Sequence, residues 1–179
     1  MANMGEFKIF KILRDITILG LNSVGITDDV DVRRFAQANF NHGDKLILLN
    51  CIRTSREGWQ AFKYRPTDES LKRNDEWLEL QDWQFSSIKR MRQEDNEDTI
   101  SAVDIANSLI AWFNGPGSLE LRNYGIANLL IDPTSIMIYN DDSDLYQRRP
   151  VFTMSIYVPK SLITDAPYLS GLDGEEHPI

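Results

Sequence analysis

Between Glu6 and Leu19 apolar residues recur at three- and four-residue spacing, with Ile9, Ile12, Leu13 and Ile16 on one side and Lys8, Lys11 and Asp15 on the other. That spacing predicts an amphipathic helix. Gly20, Asn22 and Gly25 break it, and Asp28, Asp29 and Asp31 are N-cap candidates for a second, short helical stretch through Arg34, Ala36 and Ala38. Asn41-His42-Gly43-Asp44 reads as a turn into a strand from Lys45 to Arg53, apolar on both faces and so central in a sheet. A further strand runs from Glu76 to about Arg92. Along it Leu78 and Leu80 share one parity and Trp83 and Phe85 the other, so the apolar face switches near Gln81-Asp82. A β-bulge, or passage of the strand between two environments, has that effect.

The strongest helical pattern is Thr99 to Phe113, entered through the acidic turn Glu94 to Asp98, where carboxylates suit the positive end of the helix dipole. Val103, Ala106, Leu109, Ile110 and Phe113 form its expected buried stripe, and Gly115-Pro116-Gly117 stops it. Ser118 can cap a short helix to Tyr124, ended by Gly125. A strand at Ile136 to Tyr139 leads through the acidic turn Asn140 to Asp144 into Gln147 to Val158. There Phe152, Met154, Ile156 and Val158 alternate inward with Thr153, Ser155 and Tyr157 outward. These elements predict an α+β fold: a single domain, 1–159, with a mostly antiparallel, mixed β-sheet flanked by two main helices. After Pro159 the period is lost, and 160–179 reads as an acidic extension whose last fifteen residues, Asp165 to Ile179, form a flexible tail or a partner-docking arm.

The stretch from Arg53 to Arg73 follows neither period. It holds six basic residues (Arg53, Arg56, Lys63, Arg65, Lys72, Arg73) against three acidic ones (Glu57, Asp68, Glu69), with Trp59, Phe62 and Tyr64 interleaved. About twenty residues is long for an ordinary connection, so a projecting β-hairpin or functional loop is expected. Arg and aromatic residues together suit a protein interface, and also the stacking and clamping of nucleic acid. Arg53, Arg56, Trp59, Phe62, Tyr64, Arg65, Lys72, Arg73 and Trp77 are the candidate interface residues.

Composition narrows the partners. The 179 residues carry 19 Lys+Arg and 27 Asp+Glu, a net charge of −8, which disfavours a protein that wraps nucleic acid or sits on an anionic membrane. Set against that total, the 53–73 stretch is locally +3, leaving −11 elsewhere. Cys51 is the sole cysteine, flanked by Leu48, Leu49 and Ile52, and reads as a small buried hydrophobe. Only two histidines occur, His42 and His177, so no Ser-His-Asp or Cys-His relay has an obvious base and no His/Cys metal set assembles. Neither a GxGxxG nor a GxxxxGK[ST] phosphate loop is present. The aspartates at 28–31 and 141–144 fit caps and solvated turns better than metal loops. No catalytic residue, cofactor or metal is expected.

The run Trp83-Gln84-Phe85-Ser86-Ser87-Ile88-Lys89-Arg90, the helix Thr99 to Phe113, the glycine-led strand Gly125-Ile126-Ala127-Asn128-Leu129-Leu130 and the closing stretch Tyr146 to Tyr157 resemble the tail-terminator or neck proteins of long-tailed bacteriophages. The resemblance spans roughly Lys45 to Pro159. It implies a non-enzymatic virion protein, assembled in the host cytoplasm, that caps the tail tube as a homohexameric ring. Such a ring ends tail elongation, binds the tail-tube protein and a head-completion or connector protein, and passes DNA through its lumen without reading it. Ring closure needs apolar and aromatic anchors beyond those of one domain, for which Trp59, Phe62, Tyr64, Trp77 and Trp112 are candidates. Two alternatives stand beside this reading: a monomeric nucleic-acid-binding module using 53–73, and another tail-completion or baseplate adaptor.

Overall fold

A computed structural model describes residues 4–27, 30–35, 45–66, 71–89, 100–132, 135–140 and 146–165. The first helix, α1 (Glu6–Ser23), follows its apolar period and buries Ile9, Phe10, Ile12, Leu13 and Ile16. The second helical stretch expected from Asp28 is not formed at its described residues. Val30–Arg34 is instead a strand, β1, lying parallel to β2 (Lys45–Pro66). Val30 and Val32 alternate with Asp31 and Arg33, and this β-branched period of two decides against a helix once Val32 is buried against the core. Residues 36–44, including the expected turn at 41–44, lie outside the described set.

β2 pairs antiparallel with β3 (Leu71–Lys89). Next come α2 (Ala102–Asn114), α3 (Pro116–Asn123), β4 (Ala127–Ile131), β5 (Ser135–Asn140) and β6 (Tyr146–Asp165). The sheet is mixed and six-stranded, ordered β1-β2-β3-β6-β4, with β5 pairing a different stretch of β6. This is the expected α+β architecture, with the strand from Lys45 interior to the sheet. The acidic turns at 94–98 and 141–144 lie outside the described residues, and α2 is capped by Ser101. The Ser101 hydroxyl accepts from the Asp104 backbone N–H at 3.1 Å, and the Asp104 carboxylate accepts from the Ser101 N–H at 2.9 Å. The Ser101 hydroxyl also donates to the Asp104 carboxylate at 2.6 Å, and this bond, then the one from the Ser101 N–H, holds the Asp104 carboxyl below its usual range.

One core joins the helices to one sheet face. Ile105, Ala106, Leu109 and Phe113 of α2 are buried, so Ile105 takes the place the sequence reading gave to Val103, while Ile110 packs partly buried against the core. Phe85 and Phe152 are cross-strand partners with rings stacked 4.7 Å apart, and Phe113 tilts onto Phe85 at 5.4 Å. Inward Phe152, Met154, Ile156 and Val158 are buried as their alternation predicts. Trp112, an expected interface anchor, is used inside the domain. A Cβ on Gly20 of α1 would lie 2.6 Å from its ring, and one on Gly117 of α3 equally 2.6 Å away. Those two glycines let three helices close on one indole. Asn128 then ties β4 to the helix ends, donating to the Phe113 carbonyl at 2.9 Å and accepting from the Ser118 hydroxyl at 2.6 Å. Among the described residues no helix is long and apolar enough to cross a membrane.

Candidate interaction arm

The buried core ends at Cys51 on β2, Trp83 on β3 and Val158 on β6, yet all three strands run on. Their continuations pair in register, β2 with β3 out to Pro66↔Leu71 and β3 with β6 out to Lys72↔Asp165. The stretch expected as a projecting hairpin or loop is therefore two strands of a three-stranded arm. β6 supplies the third by running six residues past Pro159, a strand for which Leu162, Ile163 and Thr164 were the available signal.

Two irregularities explain why the hairpin showed no clean period. On β2, Ile52 is an extra residue between Cys51↔Trp83 and Arg53↔Asp82. A larger bulge sets 58–60 against Trp77 alone, between Glu57↔Leu78 and Ala61↔Glu76, with Gly58 at φ 77°. The single extra residue at Ile52 exchanges the side chains that face the helix side of the sheet, whereas the 58–60 bulge adds two residues and keeps the faces while breaking the alternation locally. β3 itself is regular, so the switch of apolar parity near Gln81-Asp82 marks its passage from core to arm, and the bulge sits opposite it on β2.

A polar ladder fills the junction. The indole of Trp83 donates to Gln81 Oε1 at 2.9 Å, and Gln81 Nε2 donates to Glu79 at 2.5 Å. Glu79 lies 3.3 Å from the ammonium of Lys160, which donates to the Met4 carbonyl. Lys160 is 9% exposed, so its charge is tolerated only because a carboxylate and a carbonyl receive it. Cys51 is half-buried beside Thr54 at 3.5 Å, and burial pushes its thiol up, so it stays protonated and unreactive at neutral pH.

On the arm, several candidate residues share the face that the helices cover farther back. The Arg56 guanidinium stacks over Trp77 at 4.3 Å, and Arg73 lies over Phe62 at 5.0 Å while donating to Asp75 at 2.8 Å. Phe62 meets Tyr64 edge-on at 5.8 Å. Such cation–π pairs contribute roughly 0.5–1 kcal/mol each at exposed sites and hold long side chains in one orientation. Arg53 lies 3.9 Å from Asp82, whose carboxylate accepts from Ser155 at 2.6 Å. Lys72 pairs in register with Arg65 and Asp165. Trp59 and Arg65 belong to β2, but their side chains lie outside the described set. Phe62 and Tyr64 are 56% and 44% exposed, and the sequence reading missed Leu78, Leu162 and Ile163, exposed at 47%, 49% and 64%. The arm thus carries exposed apolar residues on strands that no helix covers among the described residues, which makes it the candidate interaction surface.

No protein-family model matches the chain, and no curated protein matches it. Among solved structures it is similar to the sheath/tube terminator of PVC, an extracellular contractile injection system, in the extended state. That similarity has a TM-score of 0.56 at 11% identity and covers 92% of this chain. The chain spans 59% of the length of that neighbour. The shared property is the fold, that of a tail or tube terminator, as the resemblance implies.

Proposed function

We propose that this chain is a structural completion protein of a phage tail or tail-like tube. It assembles as a homohexameric ring on the last ring of tube subunits, ends elongation, and turns its other face to a head-completion or connector protein. DNA passes through the lumen of an acidic ring without being gripped. The protein catalyses no reaction, and its place is the virion neck after assembly in the host cytoplasm. The observation that carries this reading is the terminator fold along 92% of the chain. The three-stranded arm supports it, since a closed ring needs one surface of each copy to seat on a different surface of the next.

The nucleic-acid alternative draws less support from the arm. Arg53, Arg56 and Arg73 face Asp82, Trp77 and Asp75 within the arm, so part of its basic charge is already engaged. A baseplate or other tail-completion adaptor would use the same surfaces.

The test combines light scattering with tube assembly. The expected results are particles of about six 20.6-kDa copies and shorter, capped tubes by electron microscopy when the protein is added to polymerising tube subunits. A monomer at every concentration, with no binding to tubes, would overturn the proposal.

A further inference from the structure

The charge on the arm is sorted by strand. From Arg53 to Pro66, β2 has four basic residues and one acidic one, whereas β3 from Leu71 to Asp82 has two basic and four acidic. The basic excess therefore lies on the edge strand. β1 pairs with β2 only from Lys45 to Leu49, and beyond that the outer edge of β2 has no strand partner among the described residues. Bulges at Ile52 and at 58–60 protect the first part of this edge, but Ala61 to Pro66 is regular, with Phe62 and Tyr64 exposed. A regular, apolar, basic edge favours an added strand that is acidic.

The chain contains one. Residues 166–179, fourteen in number, hold Asp173, Glu175 and Glu176 and no basic residue, and Asp165 delivers them at the arm tip beside Lys72. Fully extended they reach roughly 46 Å at about 3.3 Å per residue, ample to span six residues of a strand. Docking on the same copy would carry this segment over the 66–71 connection to the far edge, and connections at one end of a sheet do not cross. Docking on a second copy meets no such obstacle.

We infer that residues 166–179 of one copy add as a strand to the Ala61–Pro66 edge of the arm of the next copy, with Asp173 and Glu175, which share one strand face, on the side of Lys63. The donor lies at the β6 edge and the acceptor at the β2 edge, so passed from each copy to the next the contact is head-to-tail, the type that builds a ring. This inference rests on the ring reading above and names the contact that joins neighbours.

The test uses full-length protein in a Cys51→Ser background, with Lys63→Cys in one variant and Gly171→Cys, on the strand face of Asp173 and Glu175, in another, mixed under mild oxidation. The expected result is a disulfide-linked dimer from the mixture and none from either variant alone. Arg65→Glu added to the Lys63→Cys partner lowers the linked fraction about tenfold, and Asp173→Lys with Glu175→Lys on the donor restores it, a rescue that misfolding could not produce. Linkage within a single chain carrying both cysteines, or no linkage while light scattering still shows the ring, would overturn the inference and leave the ring reading standing. A monomer throughout would overturn both.

Discussion

Replacing Gly20 by alanine tests whether Trp112 is clamped between α1 and α3. The new methyl carbon would lie 2.6, 2.7 and 2.9 Å from Cδ1, Cγ and Nε1 of the indole. The ring cannot retreat, because the site of a Gly117 Cβ is 2.6 Å from the same Cδ1. Overpacking of this kind costs about 1–3 kcal/mol, against a return of about 1 kcal/mol for alanine over glycine inside a helix. Gly20→Ala alone is therefore expected to destabilise by about 1 kcal/mol, near 2–4 °C in Tm for a chain of this size. In a Trp112→Leu background the clash is gone, and the same change is expected to stabilise by about 1 kcal/mol through helix propensity. Urea unfolding of the four proteins in this cycle gives the coupling directly. Stabilisation by Gly20→Ala in both backgrounds would refute the clamp.

Three further outcomes follow from the geometry. The Asp104 carboxyl is held below its usual value by Ser101, so its contribution is full above about pH 4 and fades as pH falls through the lowered value. Asp104→Asn is expected to flatten that acid limb of the stability profile, read by circular dichroism. Lys160→Met leaves the Glu79 carboxylate without its ammonium and is expected to cost about 1–3 kcal/mol, much of it recovered by adding Glu79→Gln, both by chemical denaturation. Phe85→Ala empties the stack between Phe113 and Phe152 and is expected to cost about 3–5 kcal/mol, whereas Arg56→Ala on the arm should move the midpoint by less than about 1 kcal/mol.

The core elements were legible because burial imposes a period. Ile9 to Ile16 on α1, Ala106 to Phe113 on α2 and Phe152 to Val158 on β6 each repeat as their secondary structure requires. β1 was misread because three aspartates signal a helix cap as readily as a strand entry, and only the neighbouring β2 decides between them. The arm was legible as a projecting hairpin or loop but not as a three-stranded unit. With few core contacts its side chains need not alternate, and two bulges shift the register within one strand. The clamp on Trp112 could not be read at all, since Gly20, Trp112 and Gly117 meet only after the three helices pack.

The pairing of β3 with β6 also sets an order of events in synthesis. Lys72 and Asp165 are 165 − 72 = 93 positions apart, whereas Pro66 and Leu71 are five apart. The β2–β3 hairpin can close as soon as it leaves the ribosome, but the arm gains its third strand only after residues 146–165 are made, and such distant contacts form slowly. A nascent chain therefore presents a two-stranded arm, and the surface formed by three strands exists only once β6 has been made and has folded back onto β3.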